Sequence, residues 1–364
     1  MFAAFNPELG SYLSLNLPFK VEMLRSLLHL LSAQGAKSTS SSHACHTMLT
    51  TPVQIRGLSE IISRYDLVLF DQFGVMHDGR ALLPQAIDTL RQLHEKNKKV
   101  VVLSNSSNRA DKALQRLHRM GFVSVDNILT SGELAWSHLS SKYRRSRCCW
   151  VTWASFRDDS YLADLGMTTS DIDEADLLLL HGSQIVVGDP VDDPTHLDFM
   201  NNGVIDDALE TVLRRAAQRS IPVVCANMDL TAVLASGALA YMPGTLLERY
   251  RQLGGETATS FGKPQLQFFE AALEMGYGPS QTPLQRRQRE TRTLHIGDSL
   301  LHDIAGAAGA NLDSLLVTKH GVHKNELYPG HASSEETPLL IRVCDEADRL
   351  GAPRPTFVIE ELVF

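Results

Sequence analysis

No stretch of this sequence approaches the roughly eighteen consecutive apolar residues that a membrane-spanning helix needs, so no helical span and no membrane partner is expected. Cysteine is scarce and badly spaced for pairing: Cys45, Cys148, Cys149, Cys225 and Cys344 are odd in number, widely scattered and free of any CxxC pattern. Neither a disulfide framework nor a zinc site is suggested, and the fitting compartment is a reducing one inside the cell. Positive charge is in deficit. The 34 lysines and arginines face 42 acids, a net charge of −8, whereas dedicated nucleic-acid binders carry a basic footprint. Nucleic acid is therefore not an expected partner. No repeat of solenoid period is visible either.

What is present is ordinary globular material. Apolar residues make up 43% and charged residues 21%, far from the composition of chains that stay disordered. At roughly 150 residues per domain, 364 residues suggest two domains. Residues 1–57 read as an N-terminal extension. To about Gln54 they lack a globular pattern; Leu24 to Leu31 is a short apolar helical segment, and Lys37 with the Ser38 to Ser42 run reads as a flexible joint. This Ser-rich, acid-poor stretch is either an organellar (mitochondrial) import segment, which Glu8, Glu22 and the scarcity of Arg weaken, or a loosely docked extension of a cytoplasmic protein.

From Leu58 onward, strand and helix patterns alternate. Tyr65 to Phe70 and Lys99 to Leu103 are short apolar runs of the kind buried on both faces of a parallel sheet, and they stop at Asp71 and Ser104. Between and after them come helical patterns from Pro84 and over Ala110 to Met120, then a short strand near Asn127 to Thr130. The alternation implies an α/β fold with a doubly wound parallel sheet. Residues 134–239 repeat it with three more strand patterns, Cys149 to Thr152, Ala175 to Leu180 and Ile221 to Cys225, and a helix over Asp206 to Gln218. The acidic stretch Asp189 to Pro194 reads as a solvated turn. Then follow a helix over Pro264 to Met275, a polar, basic loop over Gln281 to Arg292, a strand Thr293 to Ile296 ending at Gly297-Asp298, a small-residue helix Asp303 to Gly309, and strands at Ser314 to Val317 and Thr356 to Ile359.

In open parallel sheets, sites collect outside the carboxyl ends of the strands, where loops and helix N-termini converge. Three strands here end in Asp71, Ser104 and Asp298. Any one alone would read as a turn or cap residue. In chain order the candidate elements are Asp71-Gln72-Phe73-Gly74-Val75, Ser104-Asn105-Ser106-Ser107-Asn108-Arg109, Gly262-Lys263-Pro264 and Gly297-Asp298-Ser299-Leu300-Leu301-His302-Asp303. In order and spacing, from about Leu58 to Val322, they resemble the haloacid dehalogenase superfamily, in particular its class IIA phosphatase-like branch. Thr130-Ser131-Gly132-Glu133, Cys225-Ala226-Asn227-Met228-Asp229 and Gly306-Ala307-Ala308-Gly309 add local matches to that branch. The resemblance implies a Rossmann-type core from 58–133 and 240–364 with an inserted α/β cap domain over 134–239, and self-association through the cap as a homo-oligomer.

Each residue can be given chemistry. Asp71 is the candidate nucleophile, because a carboxylate can attack phosphorus and split one displacement into two. Two anions must then approach, so positive charge is required. A Mg2+ ion held by Asp71 and Asp298 would supply it, and hard oxygen ligands are what that ion prefers. The resemblance adds the backbone carbonyl of Phe73 as a third ligand. Asp303 is a ligand, a group that orients Lys263, or a helix N-cap. Ser104, with Asn105 beside it, would bind phosphoryl oxygens, Lys263 would stabilise the phosphoryl group in transfer, and Gly74 permits close backbone approach or simply a tight turn. Asn227 and Asp229 are candidate substrate contacts or an Asx turn.

Phosphatases of this superfamily carry a second Asp two residues after the nucleophile, and here Phe73 stands there, a ring that transfers no protons. Loss of a general acid/base costs about 10² to 10⁴ in rate. The substrate can have a good leaving group, His77 or Asp78 can substitute, the protein can be a weak or inactive phosphate binder, or the chemistry can be carbon-centred, against which Asp298 stands. His181 and His295 read as packed or surface histidines, and Lys142 to Arg147 as a solvated helix end. The expected function is a Mg2+-dependent hydrolase of a small phosphorylated metabolite.

Overall fold

The computed structural model describes residues 51–364 apart from 79–80, 126, 156, 189–192, 235, 237, 281 and 329–336. The expected extension over residues 1–50 and most of the acidic turn over 189–194 lie outside the described residues. In chain order the strands are β1 Val53–Gln54, β2 Leu67–Phe70, β3 Lys99–Ser104, β4 Ile128–Thr130, β5 Arg147–Thr152, β6 Thr168–Thr169, β7 Leu177–Leu180, β8 Ile185–Val187, β9 Thr195–His196, β10 Val223–Cys225, β11 Thr231–Val233, β12 Leu239–Tyr241, β13 Ala258–Ser260, β14 Thr293–Gly297, β15 Asp313–Val317 and β16 Phe357–Ile359.

Seven strands build the first sheet in the order β1-β16-β15-β14-β2-β3-β4, all parallel. Both faces are covered, which is why its central strands are apolar throughout. Val68 and Phe70 of β2 point to one side with Val102, Ile296 and Val317, under the helices Pro84–Glu95 and Ala110–Arg119. Leu67 and Leu69 point to the other with Val101, Leu103 and Leu129, under the helix Leu266–Tyr277. Alternate residues thus serve two cores. Val53 and Gln54, counted with the N-terminal extension, are instead an edge strand that pairs with Phe357 and Val358.

A second seven-stranded sheet runs β13-β10-β7-β5-β8-β9, with β6 alongside β5, and it is mixed because β8 pairs antiparallel with both β5 and β9. Cys149, Val151, Leu178 and Leu180 face the helices Asp207–Arg219 and Pro243–Gln252, while Cys148, Trp150, Leu177 and Leu179 face the helix Ser131–Lys142. The expected boundary at 239 falls short. The helix Pro243–Gln252 and β13 belong to this second sheet, since β13 zips in parallel onto β10, and the chain leaves it only after Ser260.

One loop expectation is overturned. Gln281 to Arg292 contains the helix Pro283–Thr291, opened by Pro283 in its first turn and by the Thr282 hydroxyl, which accepts the Gln285 N–H. It carries no apolar stripe to betray it; the Arg286 to Glu270 and Glu290 pairs hold its surface. No helix of the described residues is long and apolar enough to cross a membrane.

Candidate active site

The sheet order places β14, β2 and β3 side by side, so parallel strands deliver Asp298, Asp71 and Ser104 to one edge. Asp71 continues the β2 ladder, its N–H donating to Ile296 O at 2.9 Å. Asp71, Asp298 and Asp303 are all buried and each offers a carboxylate oxygen within 4.8 Å of the others. Into this group reaches Lys263, 3% exposed, whose Nζ lies 2.5 Å from Asp71 Oδ1 and 2.8 Å from Asp303 Oδ1. Four residues from three distant stretches of the chain thus converge.

The surroundings fix them. Asp303 Oδ1 also meets His295 Nε2 at 2.8 Å, and its Oδ2 accepts the N–H groups of Asp298 (3.2 Å) and Ser299 (3.0 Å). The N-cap reading of Asp303 does not hold, because Asp303 lies within the turn Leu300–Ile304, whose cap is Ser299, and accepts from residues that precede it; it ties its own loop and orients Lys263 at once. Asp298 Oδ2 accepts the Val322 N–H at 2.9 Å. Gly74 has φ +74°, and a Cβ there would collide with the Asp298 carboxylate, so only glycine lets the backbone pass so close. Asn105 Oδ1 accepts the Lys263 N–H at 2.7 Å, and its Nδ2 donates to Lys263 O and, at 2.8 Å, to Asp229 Oδ1. The Ser104 hydroxyl, at the strand end, accepts the Ser106 N–H at 3.2 Å.

Charge explains the protonation. Burial pushes the Asp71 carboxyl up to about 7, with Lys263 pulling down and Asp303 pushing up. Burial, then Asp71 and Asp303, drive Asp298 well above the carboxylate range. Burial also opposes ionisation of Asp303, but Lys263 and His295 outweigh it and hold the group well below that range. For Lys263 burial opposes the charge, and Asp303 and Asp71 more than restore it. Three buried carboxylates against one ammonium leave the cluster short of positive charge. A hard divalent cation among these oxygens fits the donor set and would return Asp71 and Asp298 to their ionised forms.

Other expectations meet mixed ends. Phe73 is half-buried, its ring edge-on to His77 with centroids 6.1 Å apart. His77 is itself buried and pushed down to about 4 by burial and by Arg116. Asn227, 3% exposed, accepts the Asp229 N–H on Oδ1 at 2.8 Å, an Asx turn just past β10. Asp229 is more than a turn residue, because it faces both Asn105 and, at 3.9 Å, His302 Nδ1. The sequence offers no sign of a role for His302, since its partner Asp229 stands on a separate stretch of chain, just past β10. His181 is packed as read, 1% exposed, bonded to Thr152 Oγ1 (3.0 Å) and to Ser107 O (2.9 Å). His295 is packed too, yet it holds Asp303.

Comparison with known proteins agrees with this geometry. A family profile described as haloacid dehalogenase-like hydrolase matches residues 68–168, and a second, HAD-hydrolase-like, matches residues 260–341; together they span half of the chain. Glycerol-3-phosphate phosphatase of Rattus norvegicus is 25% identical over 281 residues, 70% of this chain and 79% of that protein. A haloacid dehalogenase-like hydrolase from Brucella suis 1330 superposes with a TM-score of 0.64 at 23% identity, covering 85% of this chain and all of that one. A glycerol phosphate phosphatase from Mycobacterium tuberculosis, crystallised with magnesium, gives 0.52 at 21% identity over 83% of this chain and 76% of its own. These structural likenesses show a shared fold.

Proposed function

The chain belongs to the haloacid dehalogenase-like hydrolases, and from that footing we propose that it is a magnesium-dependent phosphatase of small phosphorylated metabolites that works through an aspartyl-phosphate at Asp71. The observation that carries the reading is the meeting of Asp71, Asp298 and Asp303 within 4.8 Å, with the Lys263 amine bonded to Asp71 and Asp303. Asp71, Asp298 and the Phe73 carbonyl would hold the ion, with Asp303 as a further ligand or as the anchor of Lys263. Bound magnesium would supply positive charge for the approach of two anions.

The remaining work falls to the chain's own groups. Asp71 attacks phosphorus as the phosphorus–oxygen bond to the leaving group breaks, and the bond electrons depart with that oxygen. Lys263, held between two carboxylates, balances charge on the transferring group, and Ser104 with its following amides receives the phosphoryl oxygens. Water then cleaves the acyl phosphate and returns Asp71. The second sheet, whose Asp229 reaches Asn105, would act as the cap that covers the substrate and reads its leaving group, and its surface would carry any self-association.

Phe73 decides the substrate preference in this reading. With no carboxyl there to protonate the leaving oxygen, acyl and aryl phosphates turn over faster than alkyl phosphates by about 10² to 10⁴. The same ring favours a second reading, a phosphate-ligand binder with little turnover. Phosphate release from acetyl phosphate and p-nitrophenyl phosphate, measured with magnesium and with EDTA, separates the two. Release that needs magnesium and disappears in Asp71→Asn supports the enzyme; no release, with heat stabilisation by inorganic phosphate, supports the binder.

A further inference from the structure

Asp298 and the amides after it sit on a loop with little regular structure beneath it, since β14 ends at Gly297 and an irregular helical turn, Leu300–Ile304, follows. Leu300 is fully buried, and its N–H belongs to the first turn of that helix, where no intrahelical acceptor exists. A buried donor of this kind needs a partner. It finds one 23 residues further along the chain: the N–H donates to His323 Nε2 at 3.1 Å.

That single contact determines the state of the ring. Nε2 accepts, so it carries no proton, and the proton of the neutral ring sits on Nδ1. Nδ1 faces Glu346 Oε1 at 3.4 Å. Glu346 is an acid on the buried side of the helix Leu339–Leu350, among Val343, Ala347 and Leu350, and Arg349 grips both its oxygens at 2.5 and 2.7 Å. The residue before His323 completes the arrangement, because the Val322 N–H donates to Asp298 Oδ2 at 2.9 Å. Gly321 lies so close to Asp298 that a Cβ would crowd it. The segment 321–323 therefore holds the Asp298 loop at two points, and Glu346, beyond residue 341 where the family match ends, braces it from behind.

We propose that His323, oriented by Glu346, is a positioning residue that sets the Asp298 loop for magnesium through the Leu300 amide. It touches neither ion nor substrate. The proposal rests on the magnesium reading of the three acids given above. Partners that orient ligands from outside the coordination shell are typically worth about 10- to 100-fold in metal affinity.

The test is the magnesium dissociation constant of the full chain, titrated by calorimetry with the metal alone, together with melting temperature in EDTA. His323→Leu removes the acceptor and is expected to weaken magnesium binding about tenfold, while His323→Gln, whose Oε1 reaches as far as Nε2, recovers most of the affinity. A His323→Leu protein that melts lower in EDTA yet binds magnesium as wild type does has lost only packing, and overturns the proposal. Should His323→Leu not fold, Glu346→Gln replaces it: a severalfold weaker constant supports the device and an unchanged one overturns it. Wild type that takes up no magnesium overturns the metal reading and this proposal together. Wild type that binds magnesium but hydrolyses nothing overturns the hydrolase reading alone.

Discussion

Lys263 is the residue on which the site's electrostatics turn. It is 3% exposed between Asp71 and Asp303, and among the described residues no other lysine or arginine pairs with either carboxylate. Removing one partner of a buried ion network leaves uncompensated charge and costs about 3–5 kcal/mol. Lys263→Met is thus expected to lower unfolding free energy in EDTA by that order, read by urea denaturation, and added magnesium should restore part of it. A metal-free loss below about 1 kcal/mol would show that Lys263 does not bridge Asp71 and Asp303 as described. The meeting of Asp71, Lys263 and Asp298, and the place of Ser104 at the end of the neighbouring strand, were legible in the sequence, because each follows a strand or stands in an ordered motif. His295 under Asp303, and His302 opposite Asp229, were not. Their roles arise from contacts between side chains on different elements, which spacing along the chain does not encode.

Among elements, the decisive contact is where the second sheet meets the loop after Ser104. Trp153, just past β5, donates its indole N–H to Ser107 Oγ at 2.9 Å, Tyr161 donates to Gly132 O at 2.7 Å, and His181 meets Ser107 O. Burial lowers His181 to about 4, against the pull of the Ser107 carbonyl. A histidine whose folded value lies below its unfolded value of about 6.5 stabilises fully above 6.5, and that stability is lost as pH falls toward 4. The loss is on the order of 3 kcal/mol at most. Urea midpoints measured from pH 7.5 down to 4 should fall over that window, and His181→Gln should flatten the decline. An equally steep fall in the variant would assign it elsewhere, His77 being the next buried candidate. At this scale the long apolar runs were readable: β2, β3 and β14 lie where the sequence placed them. The helix Pro283–Thr291 was not, since a surface helix of arginines and glutamines has no apolar period. Nor were β8, β9 and the hairpin β11–β12, three residues long or less, where tertiary pairing rather than local pattern selects the strand.

The whole molecule depends on its C-terminal stretch more than the motif pattern suggests. β16 lies between β1 and β15, and it is the partner of β1 in the first sheet. The helix Leu339–Leu350 packs against the segment Leu300–Ile304 that follows Asp298. Val343, Leu350, Phe357, Val358, Ile359 and Leu362 are all buried. At about 1.5–3 kcal/mol for each such side chain, their combined burial is on the order of 10 kcal/mol, comparable with the whole net stability of about 5–15 kcal/mol. A chain ended at Pro338 would lose all six, expose the edge of β15 and leave β1 unpaired. It is expected to lose its cooperative thermal transition by circular dichroism, even though every residue of the four motifs is still present. If the truncated chain instead melts within a few degrees of the full one, the first sheet is complete without β16, and the brace from Glu346 to the Asp298 loop cannot be a structural necessity.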